Sequence, residues 1–235
     1  MRRWDEAIED MDKPDCDPAL LERTYAQFPM VNRLFSGWRG LYTERIRPVL
    51  PGDRTARILD IGCGGGDIAL ALARWTVRDG LDARILGIDP DERAWQYATG
   101  RAARAALPEG RLEFRQAFSH ELLAEPGRYD VVISNHLIHH LSPQELEGLW
   151  QDSSSLAGRL VLHSDIRRSR VASVLFGTIS LPLAGTSLIR RDGLISIHRS
   201  YTPVELAHRL PAGWRVETGG RFRNLAVFEP AAEKP

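Results

Sequence analysis

Short apolar runs alternate with helical periods along the chain after residue 50. Runs with the length and composition of buried strands lie at 57–60, 84–89, 112–117, 129–134 and 159–163. Helical patterns follow Gly66 and cover residues 90–106 and 141–156. This alternation predicts a doubly wound α/β fold, with a mostly parallel sheet and helices on both faces. Two further runs, at 214–218 and 225–229, predict an antiparallel hairpin on the edge of that sheet.

The first fifty residues have a different pattern. Residues 1–17 are rich in Asp, Glu and Pro and show almost no apolar periodicity, which predicts a mobile N-terminal tail. A helical period begins at Pro18, Pro29 is expected to break it, and a second helix is expected to end at Pro48. We expect the helices of residues 18–50 to lie over the active site, although a role only in the core explains them equally well. Residues 51–235 then form the main domain.

One segment of the main domain carries no charge over residues 171–189, and arginines precede and follow it. Gly177, Pro182 and Gly185 dilute its apolar content, which argues against a transmembrane helix. We predict an apolar insertion over 167–192, with a helix from about 169 to 180 that is apolar at 171, 174, 175 and 179. This helix can serve as a lid over an apolar substrate, as a dimer surface or as a peripheral membrane contact.

Composition narrows the class of protein. The 235 residues suit one domain, and 31 basic against 31 acidic residues give no bulk attraction to nucleic acid. The N-terminus lacks the apolar core of a signal peptide, so a cytoplasmic location is expected. Cys16 lies in the polar tail and Cys63 in a glycine-rich loop, which predicts neither a disulfide nor a metal cluster. A monomer and a homodimer both fit these data.

Four glycines, at 62, 64, 65 and 66, separate the first apolar run from an Ala/Leu-rich helix. Glycine permits positive φ and a close approach of the backbone to a ligand, and the helix N-terminus offers free N–H groups at the same place. Asp89 ends the next run, 23 residues after Gly66. An acidic residue at this spacing is typical of a ribose-binding strand end. The pattern therefore predicts a ligand site, which we call the glycine corner (residues 62–66).

The charged residues near the glycine corner, and the residues absent from it, decide between three classes of ligand. A nucleoside triphosphate is disfavoured because residues 62–67 contain no G-K-[ST] sequence. A dinucleotide is disfavoured because its third glycine would fall at Asp67, where a carboxylate would repel a pyrophosphate. S-adenosylmethionine (SAM) carries a sulfonium and an ammonium group, both of which tolerate Asp60 and Asp67 nearby. The charges therefore favour SAM.

The sequence also resembles a known family. Residues 59–66 (LDIGCGGG) look like the first motif of class I SAM-dependent methyltransferases, 87–90 (GIDP) like their ribose-binding strand end, and 129–135 (YDVVISN) like their fourth strand. The resemblance runs from about Arg33 to the C-terminus. Residues 32–38 are similar to the N-terminal helices of ubiquinone/menaquinone-type methyltransferases. The resemblance implies a seven-stranded Rossmann-like sheet, SAM as cofactor and S-adenosyl-L-homocysteine as product.

By matching position, the resemblance assigns the cofactor contacts. The methionine end would lie against Asp60, Gly62, Gly64 and Asp67, the ribose against Asp89, the adenine against Pro90, Ala117 and Phe118, and the sulfonium above Asn135 and Leu137. Many relatives have an Asp near the end of the third strand, where this chain has Gln116-Ala117-Phe118-Ser119, so adenine contacts are expected from the backbone or from Ser119. For Asp60 and Asp89, a helix- or turn-capping role remains an alternative. Cys63 is expected to be a small packing residue.

The histidines after the fourth strand are candidates for acid–base chemistry. A neutral imidazole suits removal of a phenolic proton, so His139 and His140 are the proposed catalytic bases, with helix capping as the alternative. No metal is expected, because His136, His139 and His140 have no carboxylate or Cys at clear ligand spacing. His163 and Asp165, at the end of the fifth strand, are expected to face the pocket. Asp165 can equally pair with Arg167 or Arg168.

The uncharged insertion favours a hydrophobic small-molecule acceptor. Our interpretation is O-methylation of a phenol, quinol or polyketide-like aromatic with a histidine base, in secondary metabolism or quinone biosynthesis. C-methylation of a quinol ring is an alternative, and a SAM-binding regulatory or scaffold protein without catalysis is another. Nucleic-acid methylation is disfavoured because the chain has no net positive charge and no base-flipping signature.

Overall fold

The computed structural model describes residues 1–35, 37–218, 220 and 222–231. One seven-stranded sheet has the order β3-β2-β1-β4-β5-β7-β6, and the pairs among the first five strands are parallel. The strands are β1 (Ala56–Ile61), β2 (Ala83–Asp89), β3 (Leu112–Gln116), β4 (Tyr129–Asn135), β5 (Ala157–Ile166), β6 (Trp214–Thr218) and β7 (Arg223–Phe228). Strand β7 pairs antiparallel with both β5 and β6. This confirms the doubly wound fold with an antiparallel C-terminal pair.

Helices surround the sheet. They are α1 (Pro18–Phe35), α2 (Trp38–Leu41), α3 (Asp67–Arg78), α4 (Glu92–Ala103), α5 (Pro143–Leu156), α6 (Arg170–Ile179), α7 (Ile189–Arg199) and α8 (Pro203–Ala207). A capping box of Ser142 and Glu145, with Pro143 in the first turn, begins α5 as the sequence predicts. Helix α7 was not predicted, because Gly193 and its neighbouring charges obscure the apolar period.

The core consists of two apolar clusters, and successive residues of a strand contribute to different clusters. Ile58 belongs to one cluster and Leu59 to the other, and both side chains are fully buried. The two side chains point to opposite faces of the sheet because side chains alternate along a strand with a period of two residues. Each such side chain contributes about 1.5–3 kcal/mol by burial. Strands β1, β2 and β4 are parallel, so their carboxyl ends lie at one edge of the sheet. The order of the strands along the chain reverses between β1 and β4. Open α/β sheets bind ligands at such a point.

Pro29 does not break the first helix. Helix α1 runs from Pro18 to Phe35 with Pro29 inside it, so the predicted break is wrong. Leu21 and Tyr25 of α1 are buried and pack with Ala94 of α4. These contacts outweigh the hydrogen bond that a proline cannot donate. The second predicted helix begins instead at Trp38, and residue 36 lies outside the described residues.

Several of the first seventeen residues contact the rest of the chain, and the mobility of this tail stays a prediction. The backbone N–H of Trp4 donates to the carbonyl of His198 at 3.1 Å. The carboxylate of Asp192 accepts the N–H groups of Asp10 and Met11 at 2.9 and 3.0 Å. We call residues 4–16 the N-terminal segment. Polar and backbone groups make these contacts, while Met11 and Cys16 pack beside α1 and the ring of Trp4 stacks on His198. These few apolar residues form no regular period in the sequence.

Helix α6 covers nearly the residues that the sequence predicts. Four of its apolar side chains are exposed, at 44–69%: Val171, Val174, Leu175 and Ile179. The helix packs on α7. None of the helices in the described part of the chain is both long enough and apolar enough to cross a membrane. The lid, dimer and membrane roles of this segment stay predictions.

Candidate cofactor and acceptor site

The glycine corner joins β1 to α3 through backbone conformations that favour glycine. Gly62, Gly64 and Gly66 have φ of +64°, +52° and +70°. A Cβ placed on Gly62 would lie 2.8 Å from the side chain of Leu137, whereas a Cβ on Gly64 would meet no atom within 4 Å. Leu137 follows β4 and therefore lies against the corner. Gly64 faces open space, where a ligand can approach the backbone.

Asp89 connects the end of β2 to the corner. Its Oδ2 accepts the N–H of Gly64 at 2.8 Å, and its Oδ1 accepts the N–H of Asp91 at 2.9 Å. Burial raises the pKa of Asp89, and these two hydrogen bonds act against that rise. The turn-capping contact that the sequence left open is thus present. Each carboxylate oxygen still has a lone pair for a further donor.

Two more carboxylates lie at this edge. Asp60 is 1% exposed, and neither of its carboxylate oxygens has a hydrogen-bond partner among the described residues. Burial, together with repulsion from Asp67 and Asp89, raises the pKa of Asp60 well above its ordinary value. Asp67 begins α3 and accepts a hydrogen bond from Asn32 Nδ2 at 2.8 Å. A buried carboxylate without a partner is costly, and a cationic ligand group would supply one.

The end of β4 is fixed by contacts with α2 and the corner. Asn135 Oδ1 accepts a hydrogen bond from Trp38 Nε1 at 2.8 Å. His136 adopts a positive φ of +58°, which turns the chain sharply after the strand. Burial lowers the pKa of His136 to about 4, so its ring is neutral near pH 7. Trp38 has a polar contact at the site as well as a core position.

Of the residues assigned to adenine, Ala117 and Phe118 lie after β3 and Pro90 lies after β2. Ala117 is buried and Phe118 is 55% exposed, and Pro90 is also exposed. The hydroxyl of Ser119 donates to Asp152 Oδ2 at 2.6 Å. Because the hydroxyl hydrogen of Ser119 is engaged there, backbone groups are the better candidates for contacts to a base.

His139 is held by a carboxylate on the neighbouring strand. Its Nδ1 lies 2.6 Å from Asp165 Oδ1, and its backbone N–H donates to Asp165 Oδ2 at 2.9 Å. Burial would lower the pKa of His139, but Asp165 and Glu9 outweigh it and raise the pKa to about 10. His139 in turn lowers the pKa of Asp165 against the effect of burial. Asp165 therefore orients a histidine.

Glu9 is the residue at this site that sequence reasoning missed. Its Oε1 lies 3.3 Å from His139 Nε2 and 3.7 Å from His140 Nε2, and it accepts the hydroxyl of Ser196 at 2.7 Å. Burial would raise the pKa of Glu9, but the two histidines and Ser196 outweigh it and lower the pKa to about 2. No local pattern distinguishes Glu9 from the other acidic residues of its segment. Only the fold brings it to the histidines.

His163 does not face the site, and that prediction is wrong. Its Nδ1 lies 2.8 Å from Ser134 Oγ and its Nε2 lies 3.0 Å from Ser153 Oγ, so both ring nitrogens are occupied. The ring stacks on Trp214. Burial lowers the pKa of His163 to about 3. His163 lies on the same face of β5 as Asp165 but two residues farther from the end of the strand, where Ser153 of α5 and Trp214 cover it. The sequence alone does not show which residues cover this part of the strand.

Comparison with known proteins gives a family model and several relatives. The model described as a methyltransferase domain matches residues 58–156. The ubiquinone biosynthesis O-methyltransferase of Azorhizobium caulinodans is 35% identical over 179 residues, which are 74% of this chain and 63% of that protein. The protein of the same name from Acinetobacter baumannii is 32% identical over 154 residues, 65% of this chain and 60% of that one. The chain thus spans less than two thirds of the length of either relative.

Solved structures share the fold at low sequence identity. A SAM-dependent methyltransferase from Aquifex aeolicus has a TM-score of 0.61 at 16% identity, and the match covers 92% of this chain and 99% of that one. Magnesium protoporphyrin IX methyltransferase from Synechocystis, crystallised with S-adenosyl-L-homocysteine, has a TM-score of 0.53 at 19% identity, covering 89% and 83%. These similarities support the order of strands described above.

Proposed function

Because the chain belongs to the class I SAM-dependent methyltransferases, we propose that it transfers the methyl group of SAM to an oxygen of a hydrophobic phenol, quinol or related aromatic. The observation that carries the proposal is the meeting of two features at one sheet edge. Leu137 packs on Gly62 of the glycine corner, and two residues later His139 is held by Asp165. A methyl donor and a base can therefore face the same acceptor.

The donor side uses the carboxylates of the corner. Asp60, whose buried carboxylate has only a weak contact with the backbone N–H of Ala69, would pair with the ammonium group of SAM, and the methionine chain would pass Gly62, Gly64 and Asp67. Asp89 would accept the ribose hydroxyls through its remaining lone pairs. The adenine would lie by Pro90, Ala117 and Phe118, with Asn135 and Leu137 beneath the sulfonium.

The acceptor side uses His139 as the base. Methyl transfer is an in-line displacement at a sulfonium carbon, and a hydroxyl acceptor has to lose its proton. In the neutral ring Asp165 accepts the hydrogen on Nδ1, and the lone pair lies on Nε2. In this structure Glu9 faces Nε2 and keeps the ring protonated. When an acceptor hydroxyl takes the place of Glu9, the pKa of the ring falls and the ring releases its Nε2 proton to water. The freed lone pair on Nε2 then accepts the proton of the hydroxyl as the methyl group is transferred.

Two observations support the nature of the acceptor. Both relatives described above are named O-methyltransferases of ubiquinone biosynthesis, which favours an oxygen on an aromatic ring. The exposed apolar side chains of α6 favour a hydrophobic molecule. His140 has an exposed edge and is the second candidate for the base.

Variants of the histidines test the proposal. His139→Ala is expected to lower kcat by about 10²-fold or more, because general-base catalysis is lost, while the Kd for SAM stays unchanged. His208→Ala removes an exposed histidine on α8's C-terminal side and serves as the matched control. Full activity of both His139→Ala and His140→Ala would contradict a histidine base. Loss of SAM binding in His139→Ala would show that the residue supports the cofactor instead.

A further inference from the structure

The two adjacent histidines share an arrangement that catalysis by one base does not explain. His139 Nδ1 lies 2.6 Å from Asp165 Oδ1, and His140 Nδ1 lies 2.9 Å from Asp12 Oδ2. A carboxylate can only accept, so each Nδ1 carries the proton and each neutral ring keeps its lone pair on Nε2. Histidines that bind metals are oriented in this way, with the second ring nitrogen donating to a carboxylate.

Both Nε2 atoms face the same carboxylate. Glu9 Oε1 lies 3.3 Å from His139 Nε2 and 3.7 Å from His140 Nε2, and the three ligand atoms lie within 4.8 Å of one another. The side chain of His139 is 1% exposed, and Glu9 is the carboxylate that faces its Nε2. An ion bound to both atoms would displace the proton that the ring carries on Nε2 in this structure, because a histidine ligand binds a metal in its neutral form.

The distances fit a small tetrahedral ion. At metal–ligand distances of about 2.0–2.2 Å, two ligands of a tetrahedral ion lie about 3.4 Å apart. Two imidazoles with one carboxylate favour zinc-type ions over Mg²⁺, which prefers oxygen ligands. We propose that Glu9, His139 and His140 form a binding site for one divalent transition-metal ion of the zinc type. His140 is 24% exposed, which leaves a side open for a water ligand.

The charges around this site favour a dication. Glu9 contacts both rings, Asp165 contacts the ring of His139, and Asp12 contacts the ring of His140. Arg199 donates through Nη2 to the carbonyl of His140 at 3.1 Å and so contacts the backbone, not a ligand atom. Coordination by Glu9 would also fix the N-terminal segment over the histidines.

The proposed metal site has two consequences, metal binding and inhibition of methyl transfer, and only the second depends on the proposed function. Metal binding follows from the three ligands and needs neither SAM nor an acceptor. Inhibition of methyl transfer rests on the proposed function, since an ion on His139 Nε2 occupies the lone pair that the base requires. An ion would thus keep Glu9 on the two histidines, and a chelator would remove the ion and restore methyl transfer.

Metal titration tests the site directly. The full chain, stripped with a chelator, is titrated with Zn²⁺ by calorimetry and with Co²⁺ by visible absorption, and Mg²⁺ serves as the control ion. We expect one Zn²⁺ per chain and the intense visible bands of tetrahedral Co²⁺. Glu9→Gln and His140→Ala are each expected to weaken binding at least 10-fold, whereas His208→Ala should bind as the unaltered protein does.

Several outcomes would overturn the proposal. These are no saturable Zn²⁺ binding, equal affinity for Mg²⁺, Co²⁺ bands of an octahedral ion only, or unchanged affinity in Glu9→Gln. Thermal unfolding of each variant shows whether it is folded, and His140→Ala keeps the test decisive if Glu9→Gln is not. Because the titration contains no SAM, failed metal binding leaves the methyl-transfer proposal standing, and inactivity toward all acceptors leaves the metal site standing.

Discussion

Gly64→Ala tests whether the open space at the glycine corner belongs to the cofactor. Gly64 has a φ of +52° and faces no atom within 4 Å, and Gly80, at the end of α3, has a φ of +70° and also faces no atom within 4 Å. An alanine at either position lowers the free energy of unfolding by about 1–2 kcal/mol because it has to adopt the left-handed conformation. It also raises the free energy of unfolding by about 0.4–1 kcal/mol because the unfolded chain becomes less flexible. Both variants are therefore expected to lose about 1 kcal/mol of unfolding free energy.

The two variants should differ in cofactor affinity. In Gly64→Ala the added methyl group occupies space that SAM would fill, so the Kd is expected to rise about 10-fold or more, equal to about 1.4 kcal/mol or more. In Gly80→Ala the methyl group points into solvent away from the corner, and the Kd should not change. Urea denaturation measures the stability of each variant, and isothermal titration measures SAM binding.

The comparison separates a contact effect from a strain effect. Equal SAM affinity in the two variants would refute the placement of the cofactor against Gly64. If Gly64→Ala lost far more unfolding free energy than Gly80→Ala, its weak SAM binding would result from a disturbed turn and not from a methyl group in the space of the cofactor.

Three further predictions concern charged groups at the site. Asp89→Ala should weaken SAM binding by about 1.5–3 kcal/mol, the value of hydrogen bonds to a charged group; calorimetry with Asp91→Ala as control checks this. Asp165→Asn should lower kcat and shift its pH profile, because His139 loses the carboxylate that fixes its tautomer; an unshifted profile would contradict this role. Finally, Glu9 should stabilise the fold most between pH 4.5 and 6.5. Its contribution is the free energy of unfolding of the wild type minus that of Glu9→Gln, measured by urea denaturation in the presence of a chelator. It should fall as the pH drops toward about 2, where Glu9 protonates, and as the pH rises toward about 10, where His139 deprotonates. A flat difference over that range would refute the ion pair.

Local patterns were sufficient to predict the sheet and the cofactor edge. Strand β1 is an apolar run with Asp60 next to its last residue, β2 is an apolar run that ends in Asp89, and Gly62, Gly64 and Gly66 between β1 and α3 have positive φ. These features depend on residues close together in the sequence. Hydrophobic alternation and turn chemistry therefore predict them without knowledge of the rest of the fold.

The missed features depend on contacts between distant residues. Glu9 meets His139 across 130 residues of sequence, and its own segment has no apolar period to predict packing. Pro29 stays inside α1 because tertiary packing of Tyr25 outweighs local propensity. His163 lies in the core because Ser153 of α5 and Trp214 of β6, both in other elements, cover its ring. Propensity and spacing do not contain this information.

Transfer of a labelled methyl group tests the central claim most directly. The protein is incubated with methyl-labelled SAM and a panel of hydrophobic phenols, hydroquinones and soluble amines, and mass spectrometry and NMR locate the label. The account predicts a label on the oxygen of a phenol or hydroquinone, with one S-adenosyl-L-homocysteine released per product. A label on ring carbon would contradict O-methylation, and SAM binding without transfer to any acceptor would contradict the proposed catalytic role.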